Sequence, residues 1–150
     1  MPRRTFPLRL VIALLAAVAL TAACGGSSSS SAAGYGTADV PTGSVSIIAP
    51  LDGAVLSGPV DIEMGTDGFE VEPAGAVRSG AGHLHLMIDI GCVEPGEVIP
   101  ADGAHLHLGD GSTLTTLDLA PGEYSLCLQA GDGAHTALDL TDSVTFTVTR

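Results

Sequence analysis

Lysine and tryptophan are absent from the 150 residues, arginine supplies all five basic side chains, and aromatic residues make up 3% of the chain. Three of those arginines, Arg3, Arg4 and Arg9, sit at the extreme N-terminus, so from Cys24 onward only Arg78 and Arg150 face the 17 acidic residues, a formal balance of −15. A surface of that sign repels phosphate backbones, which excludes nucleic acid as a partner and makes cations the natural one. Long apolar runs are also missing. The longest, Leu10–Leu20, is too short to cross a hydrocarbon core of about 30 Å, which needs roughly 20 helical residues. Helical periodicity is sustained nowhere, while 20 glycines and nine prolines accompany 45% apolar residues. That combination describes a turn-rich β protein rather than a disordered chain, and the length allows one ordinary domain.

The apolar run follows a basic start and precedes Thr21-Ala22-Ala23-Cys24-Gly25. This pattern predicts a lipoprotein signal peptide over 1–23 with Cys24 as the acylated residue, and hence a protein held on the extracytoplasmic face of the cell membrane. Residues 24–43, which include Ser27-Ser28-Ser29-Ser30-Ser31, are too poor in apolar side chains to fold alone. They read as a flexible tether with a root-mean-square span of about 25 Å.

From Ser44 the chain alternates apolar and polar residues in short runs broken by Asp-Gly and Pro-Gly pairs, which predicts an antiparallel β-sandwich of about seven strands over 44–150. The strands read as Ser44–Ala49, Gly58–Gly65, Gly82–Ile90, Ala104–Leu108, Ser112–Leu119, Glu123–Ala130 and Ser143–Thr149. The stretch Ile48-Ala49-Pro50-Leu51-Asp52-Gly53 through Val60 resembles the opening of bacterial immunoglobulin-like domains. Cys92 and Cys127 remain once Cys24 is assigned to lipid, and an exported pair is expected to form a disulfide.

The feature that composition does not explain is the pair of motifs His83-Leu84-His85 and His105-Leu106-His107. Side chains two apart on a strand project from the same face about 7 Å apart, so each motif can aim two imidazoles at one ion. Alternation puts Leu84, Leu86, Ile88 and Ile90 on one face and His83, His85, Met87 and Asp89 on the other, which is expected to be wet. Adjacent strands would bring His83, His85, His105 and His107 together, with Met87 beside them and His135 arriving from the loop Gly131-Asp132-Gly133-Ala134-His135. Imidazole suits zinc or copper, and an added thioether suits copper. The acidic surroundings are expected to raise the histidine pKa values, making metal binding pH-dependent. The alternative is that the histidines are hydrogen-bonded pillars of a non-catalytic module whose exposed face binds an envelope protein or polymer. No serine lies in a nucleophile elbow and no glycine-rich loop opens a helix, so the chain is not read as an enzyme.

Taken in order, the motifs Gly82-His83-Leu84-His85-Leu86-Met87-Ile88-Asp89, His105-Leu106-His107-Leu108-Gly109-Asp110-Gly111 and Gly131-Asp132-Gly133-Ala134-His135 resemble an uncharacterised family of exported bacterial domains of unknown function. Pro50-Leu51-Asp52-Gly53, Met64-Gly65-Thr66-Asp67-Gly68-Phe69 and Leu117-Asp118-Leu119-Ala120-Pro121-Gly122 extend the likeness from Val45 to Val148. The resemblance implies a sandwich fold and carries no activity. Family members tend to have a third consecutive histidine where this chain has Leu84, and often a histidine at Tyr124.

The lipoprotein reading has a direct test. The substitution Cys24→Ala should release the protein from the membrane fraction, and a variant that stays bound through a salt wash refutes the anchor.

Overall fold

Strict alternation builds the smaller of two sheets. The computed structural model describes residues 42–150; the signal segment, Cys24 and the tether expected N-terminal to Thr42 lie outside the described residues. The first strand, β1 (Ser44–Ala49), pairs antiparallel with β3 (Val60–Asp67), which pairs antiparallel with β7 (Leu114–Leu117). Along β3, Val60, Ile62 and Met64 are buried while Asp61 and Glu63 are exposed, so one face is core and the other is wet.

The larger sheet runs β2 (Ala54–Ser57), β9 (Ala137–Thr149), β8 (Gly122–Gly131) and β5 (Ala81–Ile88), and the last of these carries both β4 (Glu70–Val71) and β6 (His105–Leu108). Leu84, Leu86, Leu126, Leu128, Val144 and Phe146 of this sheet form one apolar core with Val45, Ile47, Ile62 and Met64 of the other. Burying each such side chain stabilises the fold by about 1.5–3 kcal/mol before entropy is counted. The Ile47 N–H donates to an Asp142 carboxylate oxygen at 2.8 Å, tying β1 to β9.

The all-β sandwich expected of the alternation is present, with nine strands among the described residues where seven were expected. The additions, β2 and β4, are short and pair parallel to β9 and β5. β2 is an edge strand of four residues, with Val55 turned out to solvent, which leaves almost no periodicity to read. Three of the Asp-Gly turns, at Gly53, Gly68 and Gly111, have φ of 74°, 71° and 80°, a left-handed conformation that a Cβ disfavours.

One expectation is corrected. The face of β5 that carries His83, His85 and Met87 is not wet: all three are at most 1% exposed, and every residue of β5 except Ile88 is buried. The covering comes from the chain between β5 and β6. A disulfide joins Cys92 to Cys127 across Cα atoms 5.5 Å apart. Two residues beyond Cys127, Gln129 accepts from the Val93 N–H at 2.9 Å and donates to the Val93 carbonyl at 2.8 Å and the Leu138 carbonyl at 3.1 Å. Further along, Gly96 N–H donates to the Ala137 carbonyl, Ala137 N–H to the Glu97 carbonyl and Ile99 N–H to the His135 carbonyl, each within 2.9 Å. Ile99 is 3% exposed, so an apolar side chain seals this second layer.

In the chain-entropy account the Cys92–Cys127 crosslink, closing a separation of 35 residues, contributes about 3–4 kcal/mol. Purified protein should show no free thiol at either position before reduction and a lower melting temperature after it. Alkylation of both under native, oxidising conditions would contradict the bond.

Candidate metal centre

Pairing register decides which histidines meet. β6 lies antiparallel to β5 with His107 opposite His85 and His105 opposite Met87, and on its other side β5 pairs with β8 so that His83 faces Gly131 and His85 faces Gln129. Residues directly opposite share a face, so His107, His85 and Gln129 form one row across the sheet. The neighbouring row is His105, Met87 and Cys127. β6 ends at Leu108, which leaves His83 without a partner from that strand. Its place is filled from the loop after β8.

That loop is built by Asp132. One of its carboxylate oxygens accepts from the Ala134 and Thr136 N–H groups, both at 2.8 Å, and its carbonyl accepts from the His135 N–H at 3.0 Å. The turn holds His135 at φ 69°, a left-handed conformation that costs a side-chain-bearing residue about 1–3 kcal/mol and that histidine tolerates better than most. In return the ring reaches the sheet: Nε2 of His135 lies 3.2 Å from Nε2 of His107.

His83, His85, His107 and His135 form a mutual cluster whose six ring-centroid separations all fall between 4.7 and 5.9 Å. Ligating nitrogens of His83, His107 and His135 lie within 4.8 Å of one another. His83 and His85 form the buried floor, His135 is half-buried and His107 is exposed, so the group opens to solvent on the β6 side.

Two glycines make room for the rings. A Cβ on Gly109 would overlap the His107 ring, and one on Gly131 would stand 2.9 Å from Nε2 of His85. The sequence named Gly109, Gly131 and Asp132 only as members of motifs, with no role in placing the rings, and Gln129 was not singled out. The signal for Gln129 was present: within Leu126-Cys127-Leu128-Gln129-Ala130 it is the polar member of the face that also carries the disulfide cysteine.

Of the residues proposed from the sequence, His83, His85, His107 and His135 are brought together. His105 is not in this group, because its register places it beside Met87 and its Nδ1 lies 2.8 Å from an Asp102 carboxylate oxygen. That hydrogen bond from His105 holds the exposed Asp102 carboxyl below its usual range. Met87 is fully buried in the row of Cys127, one step along the sheet from His85.

The electrostatics reverse the expectation of raised pKa values. Burial, followed by repulsion from His107 and His135, pushes His83 down to about 4 against a weaker opposing pull from Asp132. Burial also dominates at His85, with His83 and His107 the next contributors, and pushes it down to about 3. His107 is lowered by burial and by His135, with Asp110 opposing. The acidic residues crowd the sequence, yet desolvation outweighs them where the imidazoles are packed together. The rings of His83 and His85 are therefore neutral near pH 7, the form that binds metal.

All four ring nitrogens of His83 and His85 are buried and have no hydrogen-bond partner among the described residues. A neutral imidazole carries one N–H donor and one acceptor, and each left unpaired in the interior costs about 1–3 kcal/mol. Gln129, on the same face of the same sheet and equally buried, has its amide oxygen and nitrogen both satisfied.

The lowered pKa values fix a pH dependence. Because protonation is disfavoured in the fold, the contribution of His83 and His85 is complete above their ordinary value of 6.5 and is lost as the pH falls toward 4 and 3. Chelator-treated protein should lose stability in urea titrations between pH 6.5 and about 5, above the carboxylate range, at up to about 1.4 kcal/mol per pH unit per histidine. A flat profile over that window contradicts burial of the two rings.

Comparison with curated proteins and with solved structures finds no match for the chain. A family profile does match, over residues 62–149, more than half of the chain and inclusive of the whole histidine cluster. The chain thus belongs to the family described as domain of unknown function DUF4399.

Proposed function

We propose that this domain binds a transition metal ion, zinc or copper, through His83, His107 and His135 with His85 at their side, and that it does so as a non-catalytic, lipid-anchored module of the cell envelope. The observation that carries the metal reading is the set of four buried, unpartnered nitrogens on His83 and His85 in contact with two further imidazoles. Structural pillars would be hydrogen-bonded, as Gln129 is. An ion supplies the acceptor for nitrogen lone pairs that the protein leaves unused, and neutral rings offer those lone pairs without first shedding a proton. The envelope location rests on the signal pattern ending at Cys24 and on the disulfide, which is typical of oxidising compartments.

Titrating zinc and copper into the purified protein at pH 7.5 should give one bound ion per chain and a melting temperature that rises with metal, equivalent to about 2.7 kcal/mol when free metal is 100 times Kd. The variant His135→Gly separates function from fold. Glycine adopts the left-handed conformation of this position without penalty, so the metal-free protein should be as stable as wild type or more so, while affinity should fall by an order of magnitude or more. A wild-type protein whose melting temperature ignores both metals defeats the proposal in favour of structural histidines.

A further inference from the structure

The separations of the four rings carry information about how an ion would be held. With metal–nitrogen bonds of about 2.0–2.1 Å and a ring centre about 1.1 Å behind each nitrogen, four imidazoles placed tetrahedrally have centres about 5.2 Å apart in every pair. A square-planar set on the same bonds has four separations of about 4.5 Å and two diagonals of about 6.4 Å. The observed values are 4.7, 4.8, 4.9, 5.1, 5.9 and 4.7 Å. None reaches the diagonal of a square. In a square, moreover, the two long separations belong to complementary pairs, whereas the longest here, His85 to His135, is complemented by His83 to His107 at 4.8 Å. The centres of the four rings stand at the corners of a slightly stretched tetrahedron; nitrogens of His83, His107 and His135 already lie within 4.8 Å of one another, and His85 would join them by turning a nitrogen inward.

We infer that His85 is a fourth ligand and that the centre is closed: four imidazoles saturate one tetrahedral ion, zinc by its chemistry, and leave no position for water or substrate. This rests on the metal reading above and goes further, since three histidines with an open fourth position would describe a centre that activates water. His85 suits the role because both its nitrogens are buried and unpartnered, and because Gly131 leaves the space its ring occupies. The ion would then join three separate parts of the chain, namely β5 through His83 and His85, β6 through His107, and the Asp132 turn through His135. Its entry is from the side of His107, the exposed member. A d10 ion accepts this geometry without penalty, whereas Cu(II) prefers a tetragonal one.

Cobalt(II) reports coordination number in a zinc site through its visible absorption, and azide reports an open position by shifting that absorption. The purified wild-type protein loaded with Co(II) should show the intense band of a four-coordinate ion, unchanged by azide. In His85→Ala the band should weaken or become azide-sensitive, and zinc affinity should fall by more than the roughly 10–100-fold typical of residues that merely support a ligand. A wild-type spectrum that is weak or that moves with azide overturns the closed centre while leaving metal binding intact. So does a His85→Ala protein with the wild-type spectrum and affinity. If neither Co(II) nor Zn(II) binds the wild-type protein, both this inference and the metal reading fall. The wild-type azide experiment decides the question even if His85→Ala does not fold.

Discussion

Everything distinctive about this domain depends on the outer face of β5 being dry. A sheet in a two-layer sandwich normally gives one face to the core and the other to water, and on that plan His83 and His85 would be solvated side chains of ordinary basicity. Here the segment between β5 and β6 folds back over the sheet, pinned by the Cys92–Cys127 bond and by the two hydrogen bonds between Gln129 and Val93. Desolvation follows from that covering, and from desolvation follow the depressed pKa values and the unpartnered ring nitrogens. Gln129 and the disulfide touch the same covering segment within two residues of each other, so the seal is fixed covalently and by directional bonds at nearly the same point.

The energetics of the cluster set a local conflict against the surrounding fold. Burying neutral imidazoles without partners, and holding His135 in a left-handed conformation, are both unfavourable, and the apolar core between the two sheets together with the crosslink offsets them. Unpartnered buried nitrogens and a left-handed histidine gathered in one cluster are the pattern expected of a site kept for its chemistry. The turn around Asp132 shows how such a cost is localised: three backbone N–H groups are satisfied by one residue, so the unusual backbone at His135 leaves no amide unpaired there.

How much of this could be read from the sequence varies with the range of the interaction. Period-two alternation made β1 legible to the residue and β3 to within two residues at each end, and it separated Leu84 and Leu86 from His83 and His85 correctly, because side-chain direction is a local property. Parallel pairing of Ala54–Ser57 with β9 was invisible, since the partner is some ninety residues away and the strand is too short to show a period. The same limit applied to the site. Two His-x-His motifs suggested four equivalent ligands, but equivalence was broken by register: His107 lies opposite His85, and His105 is carried one row past the cluster to Asp102. The sign of the pKa shifts was misjudged for a related reason. Net charge is a property of composition, whereas desolvation is a property of the covering segment, and nothing in Cys92 to Ile99 announces that it lies flat on the sheet.

The clustered histidines come from strand β5, strand β6 and a turn beyond β8, with the whole of β8 intervening between the second and the third. An extended chain therefore offers an ion nothing better than isolated pairs, and it is the register of the strands that brings the four rings together. On the proposed reading, chelation would act as proofreading. A chain paired one residue out of register would turn Leu84 and Leu86 toward the cluster and His83 and His85 toward the apolar core, so occupancy by metal would certify a correctly assembled sheet.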